Sequence, residues 1–144
     1  MDQQLIQLIA KVNKQLELRL AQRLKQDLEL TFTDFEILSI IYQLAGNSNA
    51  QVAQEAIVKS SAVDKSTVTR RLQSCYQHKL IRRAVDKNSA REKNVILTEQ
   101  GLELIQAAIA IQHTLYNQVM SRLDPYAQKQ LQIYLLSIQN ALPQ

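Results

Sequence analysis

The stretch VDKSTVTRRLQ, Val63 to Gln73, decides how the rest of this 144-residue chain is read. Asp64 is a good N-cap, and the residues after it keep helical spacing of apolar positions, so a helix starting at residue 65 is predicted. Yet its first turns carry Ser66, Thr67, Thr69, Arg70 and Arg71. Hydroxyls this dense lower helix propensity, which suggests that something other than folding uses them. At 100° per residue, Val68, Leu72, Cys75, Tyr76 and the stem of Lys79 fall on one side. Ser66, Arg70, Gln73 and Gln77 fall on the other, with Thr67, Thr69 and Ser74 beside them and Arg71 nearer the apolar edge. Such a helix is anchored by one face and presents a ladder of donors on the other. A helix start rich in small hydroxyls favours close approach of an anion. Arg70 has the fork to read guanine, and Gln73 or Gln77 the amide to read adenine.

The charge distribution agrees. Seventeen Lys and Arg against thirteen Asp and Glu give +4 overall. Residues 64–93 hold nine basic and three acidic side chains, a local +6, which leaves −2 on the remainder. The positive charge is therefore a patch, the electrostatic footprint expected for a polyanionic partner.

Working outward, Gln51 to about Lys59 is predicted as a short helix, joined through Ser60, Ser61 and Ala62 to the helix that ends near Lys79. After it, LIRRAVD and KNVIL are short and contain β-branched residues, with polar KNSARE between them, and a two-stranded ribbon with a basic tip is expected. Upstream, TDFE (Thr33 to Glu36) reads as a capping box opening a helix with Phe35, Leu38, Ile41 and Tyr42 inward. Gly46 and Asn47 break it. The first segment places Leu5, Ile9, Val12, Leu16, Leu20, Leu24 and Leu28 three or four apart, one long stripe that needs a partner along its length. Downstream, Thr98 caps a helix bearing Leu102, Ile105, Ile109, Val119 and Leu123. Asp124-Pro125 starts the last helix, bearing Leu131, Leu135, Ile138 and Leu142. A short helix, a tight turn, a donor-rich helix and a basic ribbon, in that order, describe a winged helix-turn-helix.

At this point the chain resembles the MarR family (multiple antibiotic resistance regulators) over nearly its whole length. LTFTDFEILSII is similar to that family's entry into its second helix, VDKSTVTRRLQ to its recognition-helix signature, and LIRR with the later VILTEQG to its wing and next helix. The resemblance implies a mainly α fold with a small β-ribbon, and a winged helix-turn-helix over 31–97. It further implies a homodimer joined through residues 1–30 and 98–144, and double-stranded DNA with a pseudo-palindromic operator as partner. Many members release DNA when a small-molecule effector enters a crevice. By position it assigns Lys65, Ser66, Thr67, Thr69 and Arg70 to base and phosphate contacts, and Arg91 to the wing tip. Lys87 and Lys93 fall on phosphates, and Arg83 at the basic strand position. The chain departs from the family pattern at four places. Ser89 and Ala90 replace the wing's usual acid and first arginine, Lys79 stands where glycine is usual, and Ser61 where leucine is frequent.

Other residues carry a structural alternative beside the functional one, the effector crevice being what the resemblance implies. Tyr42 and Tyr116 are candidates to line an effector crevice, with core packing the alternative. Cys75, the only cysteine, is either a buried inert thiol or a redox sensor whose pKa Arg71 would lower. His78 and His113 belong to no ligand cluster, so no metal or cofactor is expected. His78 is expected to make a local helix-end contact. Neither a phosphate loop nor a catalytic triad order is present, and no enzyme is expected. The interrupted LIQLIA lacks a basic leader and no apolar stretch has membrane-span length, so a cytoplasmic protein is expected. Two alternatives to a ligand-responsive repressor stand beside it: a dimeric protein–protein adaptor on the same scaffold, and a thiol-based regulator acting through Cys75.

Overall fold

The computed structural model describes residues 2–86 and 89–144, with side chains described outside 1–2 and 85–92. Nine elements follow in order among them: α1 (Asp2–Leu28), α2 (Phe32–Leu44), β1 (Val52–Ala53), α3 (Gln54–Ser60), α4 (Lys65–Gln77), β2 (Ile81–Asp86), β3 (Ser89–Leu97), α5 (Glu99–Met120) and α6 (Pro125–Ala141). They form two compact units, residues 1–111 and 112–144.

In the first unit, the three strands form an antiparallel sheet in the order β1-β3-β2. Ile81 lies opposite Leu97 and Arg83 opposite Val95, with an irregularity between Val85 and Asp86. The sheet corrects the expected two-stranded ribbon. Residues 52–53, read as helix, pair instead with Val95 and Asn94, and buried Asn94 donates its amide N–H to Gln51 Oε1 at 3.1 Å. Two residues carry no periodicity of their own, so only this long-range pairing defines the strand. The third helix therefore begins at Gln54.

The core under this sheet collects Leu38 and Ile41 of α2, Ile57 of α3, Val68, Leu72 and Cys75 of α4, Ile81, Val95 and Leu97 of the strands, and Ile105 of α5. Leu20 and Leu24 of α1 are fully buried. The cap of helix α2 lies two residues before the expected one. Thr31, not Thr33, is its N-cap and accepts the Asp34 N–H at 3.2 Å. Leu30 before the cap and Phe35 at the fourth helical position are both buried, as in a hydrophobic staple. Glu36 does not reach back to a cap but pairs with Arg71 of α4 at 3.5 Å.

Helix α4 ends at Gln77, short of Lys79, for a specific reason. Lys79 takes φ +61°. Its N–H bonds the Tyr76 carbonyl, and the Leu80 N–H bonds that of Cys75, at 3.0 and 2.9 Å. These are the two bonds of a Schellman end, with lysine in the left-handed position that glycine occupies without strain. Thr98 then locks the junction. Its N–H bonds the Leu80 carbonyl at 3.0 Å, its hydroxyl donates to the Lys79 carbonyl at 2.7 Å, and the same oxygen accepts the Gly101 N–H at 3.0 Å. Gly101 is needed for space, because a Cβ there would overlap the Leu80 carbonyl oxygen.

Two apolar stripes stay uncovered. On α1, Leu5, Ile9 and Val12 are exposed. In the second unit, Asp124 caps α6 by accepting the Ala127 N–H at 2.7 Å, with Pro125 next, as expected. No residue of α6 is buried, and Tyr134, Leu135, Ile138 and Leu142 are all exposed. No described helix is long and apolar enough to cross a membrane.

Candidate nucleic-acid interface

The site starts from the cap of α4. Asp64 Oδ1 accepts the Thr67 N–H at 2.7 Å and the Ser66 hydroxyl at 3.0 Å. These bonds, those to Thr67 first, hold the Asp64 carboxyl below its ordinary value. The helix is thus started by a local carboxylate, and its polar face is exposed as the wheel predicts: Lys65, Ser66, Thr69, Arg70, Gln73 and Gln77 all face solvent. Thr67 and Arg71 are half-buried.

Several of these groups position one another. Arg70 Nη2 donates to Thr67 Oγ1 at 3.2 Å. The Thr69 hydroxyl turns back to the Lys65 carbonyl at 2.9 Å, the kind of local bond that hydroxyl residues make in helices. From β2, Arg83 reaches across to the exposed side of α4. Its Nη2 donates to Gln73 Oε1 at 3.1 Å, and its guanidinium carbon lies 5.4 Å from the centre of the Tyr76 ring. Tyr76, assigned by the wheel to the apolar face, is therefore 48% exposed and serves as a platform for Arg83.

The start of α4 and the sheet share a groove. Lys65 and Lys93 line it together with Gln54, Glu55, Val58 and Lys59. Lys59 is a cation that the sequence reading left out, because the charge excess was counted from residue 64. It lies 3.6 Å from Glu55, and both side chains are highly exposed, so the pair leaves it able to exchange partners. Lys87 lies outside the described residues, as does the side chain of Arg91, which β3 carries.

A second cleft lies between the start of α2 and the side of α4, lined by Thr31, Thr33, Asp34, Thr67, Arg70, Arg71, Ser74 and His78. Its floor is Asp34, nearly buried, within 3.4 Å of the Ser74 hydroxyl and 3.9 Å of His78 Nδ1. His78 is the C-cap of α4, and so its end contact includes a link to α2. Cys75 is fully buried beside this acid. Burial raises its thiol pKa far above the ordinary value, and Asp34 raises it further. Arg71, expected to lower it, is held by Glu36 instead.

The tyrosines suggested for an effector crevice are both half-buried and fall in different units, Tyr42 in the first and Tyr116 in the second. The Tyr116 hydroxyl takes a 3.4 Å bond from Gln112. No group of three or more potential metal ligands occurs among the described residues.

Comparison with known proteins agrees with this architecture. The family model described as ArnR1-like, winged-helix domain, matches residues 27–115. A Staphylococcus aureus MepR–DNA complex has a similar fold, with a TM-score of 0.81, 24% identity, and coverage of 94% of this chain and 96% of that one. A MarR-like transcription regulator from Bacillus cereus gives a TM-score of 0.80 at 17% identity over 99% and 98% of the two chains. The organohalide-sensing transcriptional regulator RdhR, in its 2,4-dichlorophenol-bound form, gives 0.80 at 19% identity over 96% and 79%. No curated protein matches by sequence. The mainly helical winged fold and the MarR resemblance read from the sequence are borne out.

Proposed function

The chain belongs to the ArnR1-like winged-helix family, and from that premise we propose that it is a sequence-specific DNA-binding transcription regulator. The observation that carries this reading is the exposed face of α4 set beside the cationic sheet edge, with Lys65 and Lys93 on one groove and Arg83 bonded to Gln73. Elementary recognition chemistry assigns the parts. Lys65, Lys93, Lys59 and Arg83, with Lys87, neutralise phosphates. Ser66, Thr67 and Thr69 let the helix start approach the backbone. Arg70 and Gln73 reach base edges, and Arg91 extends the wing. A MepR structure of similar fold is a complex with DNA.

The uncovered stripes of α1 and α6 support a homodimer, because a second copy would remove Leu5, Ile9 and Val12, and Tyr134, Leu135 and Ile138, from water. Two copies of α4 then read a pseudo-palindrome with half-sites about one helical turn apart. Repression relieved by a small molecule is the regulatory part of this proposal, with Tyr42 and Tyr116 as separate candidates for contacting it. A similar fold binds 2,4-dichlorophenol.

Selection of bound fragments from random duplex, followed by competition binding, tests the proposal. A recovered site with two-fold symmetry that outcompetes random duplex at physiological salt is the expected result. With about eight phosphate contacts per dimer, the log–log salt slope should lie near −7. Binding no tighter to any recovered site than to random duplex would overturn the proposal in favour of a protein–protein adaptor. The thiol-based alternative has no support from Cys75, whose burial leaves almost no thiolate.

A further inference from the structure

We infer that Glu55 is a built-in competitor for the duplex: it holds Lys59 inside a cationic groove until a phosphate displaces it, and so sets overall affinity without altering sequence preference. The inference rests on the DNA-binding reading of this face and concerns an acid that the reading leaves unused. Three elements bring the groove together. The β1–β3 register places Ala53 opposite Asn94, which sets Lys93, the preceding residue of β3, beside the first turn of α3. Lys65 opens α4, and Lys59 stands in the last turn of α3. All three lysines line the groove, and Glu55 is the sole acid among the described residues that do so.

The ion pairs separate the three cations. Lys59 Nζ lies 3.6 Å from Glu55 Oε1, with glutamate four residues before lysine, the favoured order on a helix. Lys65 and Lys93 have no acid within 4 Å among the described residues. Two charges therefore stand ready for a phosphate and the third is already engaged. A phosphate entering the groove has to take Lys59 from Glu55 and then lie close to the carboxylate it has displaced. Both costs are the same on every sequence, because the backbone carries no base information. The freed carboxylate also takes up a salt cation, which offsets part of the counterion release that drives binding. Both side chains are highly exposed, 76% and 79% for Lys59 and Glu55, so the pair is weak and acts as a brake rather than a lock.

Glu55 has a structural use as well. The N-cap of α3 is Ala53, which makes no side-chain cap bond, and Glu55 lies in the first turn. An acid there complements the helix dipole. That role alone predicts a lower melting temperature on removal of the charge, with no gain in affinity and no change in salt dependence. The two roles are therefore read by different measurements.

The test measures binding to random duplex and to a recovered site for the wild type, Glu55→Gln, Lys59→Ala and the double variant, over a series of salt concentrations. Glu55→Gln should bind both duplexes more tightly by about threefold or more at low salt, since an exposed pair of this kind is worth up to about fivefold per protomer. Its log–log salt slope should steepen by roughly 1–2 for a dimer. The ratio between recovered and random duplex should stay as in the wild type. In the Lys59→Ala background, the same change at Glu55 should lose most of its gain and leave the slope unmoved. Thermal melting checks folding, and Glu55→Ala repeats the comparison if Glu55→Gln melts early. Unchanged affinity in Glu55→Gln, a gain confined to the recovered site, or a full gain in the absence of Lys59 would overturn the inference while leaving sequence-specific binding intact. Failure of the wild type to prefer any recovered site over random duplex would overturn the regulator reading itself, whatever Glu55 does.

Discussion

Replacing Gly101 by alanine should be the most damaging single-methyl change in the winged part of the protein. On an ordinary helix the swap helps, by about 1 kcal/mol, because alanine is the better helix former. Here the added Cβ would lie 2.8 Å from the Leu80 carbonyl carbon and overlap its oxygen. That neighbour is backbone at the α4–β2 junction and has no rotamer to change. Either α5 backs away from the junction or Leu80 shifts. Overpacking of this kind costs about 1–3 kcal/mol. The movement also strains the bonds that Thr98 makes to Leu80 and Lys79, each contributing roughly 1 kcal/mol. Set against the propensity gain, the net destabilisation is about 2–4 kcal/mol, or a fall in Tm of roughly 5–12 °C for a chain of this size. Urea unfolding at fixed protein concentration measures it, since association would otherwise shift the midpoint. Gly46→Ala is the control: that residue has φ +70° but open space around it, so only backbone strain, about 1 kcal/mol, is expected. Gly101→Ala proving as stable as wild type, or less damaging than Gly46→Ala, would refute the close-approach argument.

Three further outcomes are expected. Lys79→Gly should stabilise the fold by about 1 kcal/mol in urea titrations, because it relieves the left-handed φ of +61° at the Schellman position; a destabilised variant would mean that the lysine side chain itself holds the junction. The Asp64 carboxyl is depressed below 3.8, so its stabilisation is complete above about that pH and disappears as pH falls through its lower folded value. The stability gap between wild type and Asp64→Asn should therefore narrow below pH 4 in circular dichroism melts, and a gap constant down to pH 2 would contradict the assignment. The Cys75 thiol should resist alkylation at pH 7.5 until denaturant is added, and peroxide should leave DNA binding unchanged; rapid labelling of the native protein would restore the redox reading.

Helix α4 and its cap were legible from sequence because every determinant is local. Asp64 precedes the helix directly, and Val68, Leu72 and Cys75 repeat at helical spacing. The wing was legible for a similar reason, as its strands are long enough to show their composition. What escaped was set by distant partners. Strand β1 has two residues and owes its existence to Val95 and Asn94. The α2 cap involved a choice between two threonines, each three residues before an acid, and packing around Phe35 with the Glu36–Arg71 pair favours Thr31. Tyr76 lies where a wheel puts core residues, and only the arrival of Arg83 from another element explains its exposure. The cationic groove was half visible. Lys65 and Lys93 stood out in the charge pattern, while Lys59 joins them only through the turn before α4.

The Thr98 junction also bears on how a duplex would meet this molecule. Only three residues separate the end of α4 from the start of β2, and a single threonine ties that link to the first turn of the following helix. Rod and hairpin leave folding already set at one mutual angle, with no slack in the chain between them. The loss of freedom needed to align them has occurred before any nucleic acid arrives, so engaging a groove would carry little ordering penalty from this pair.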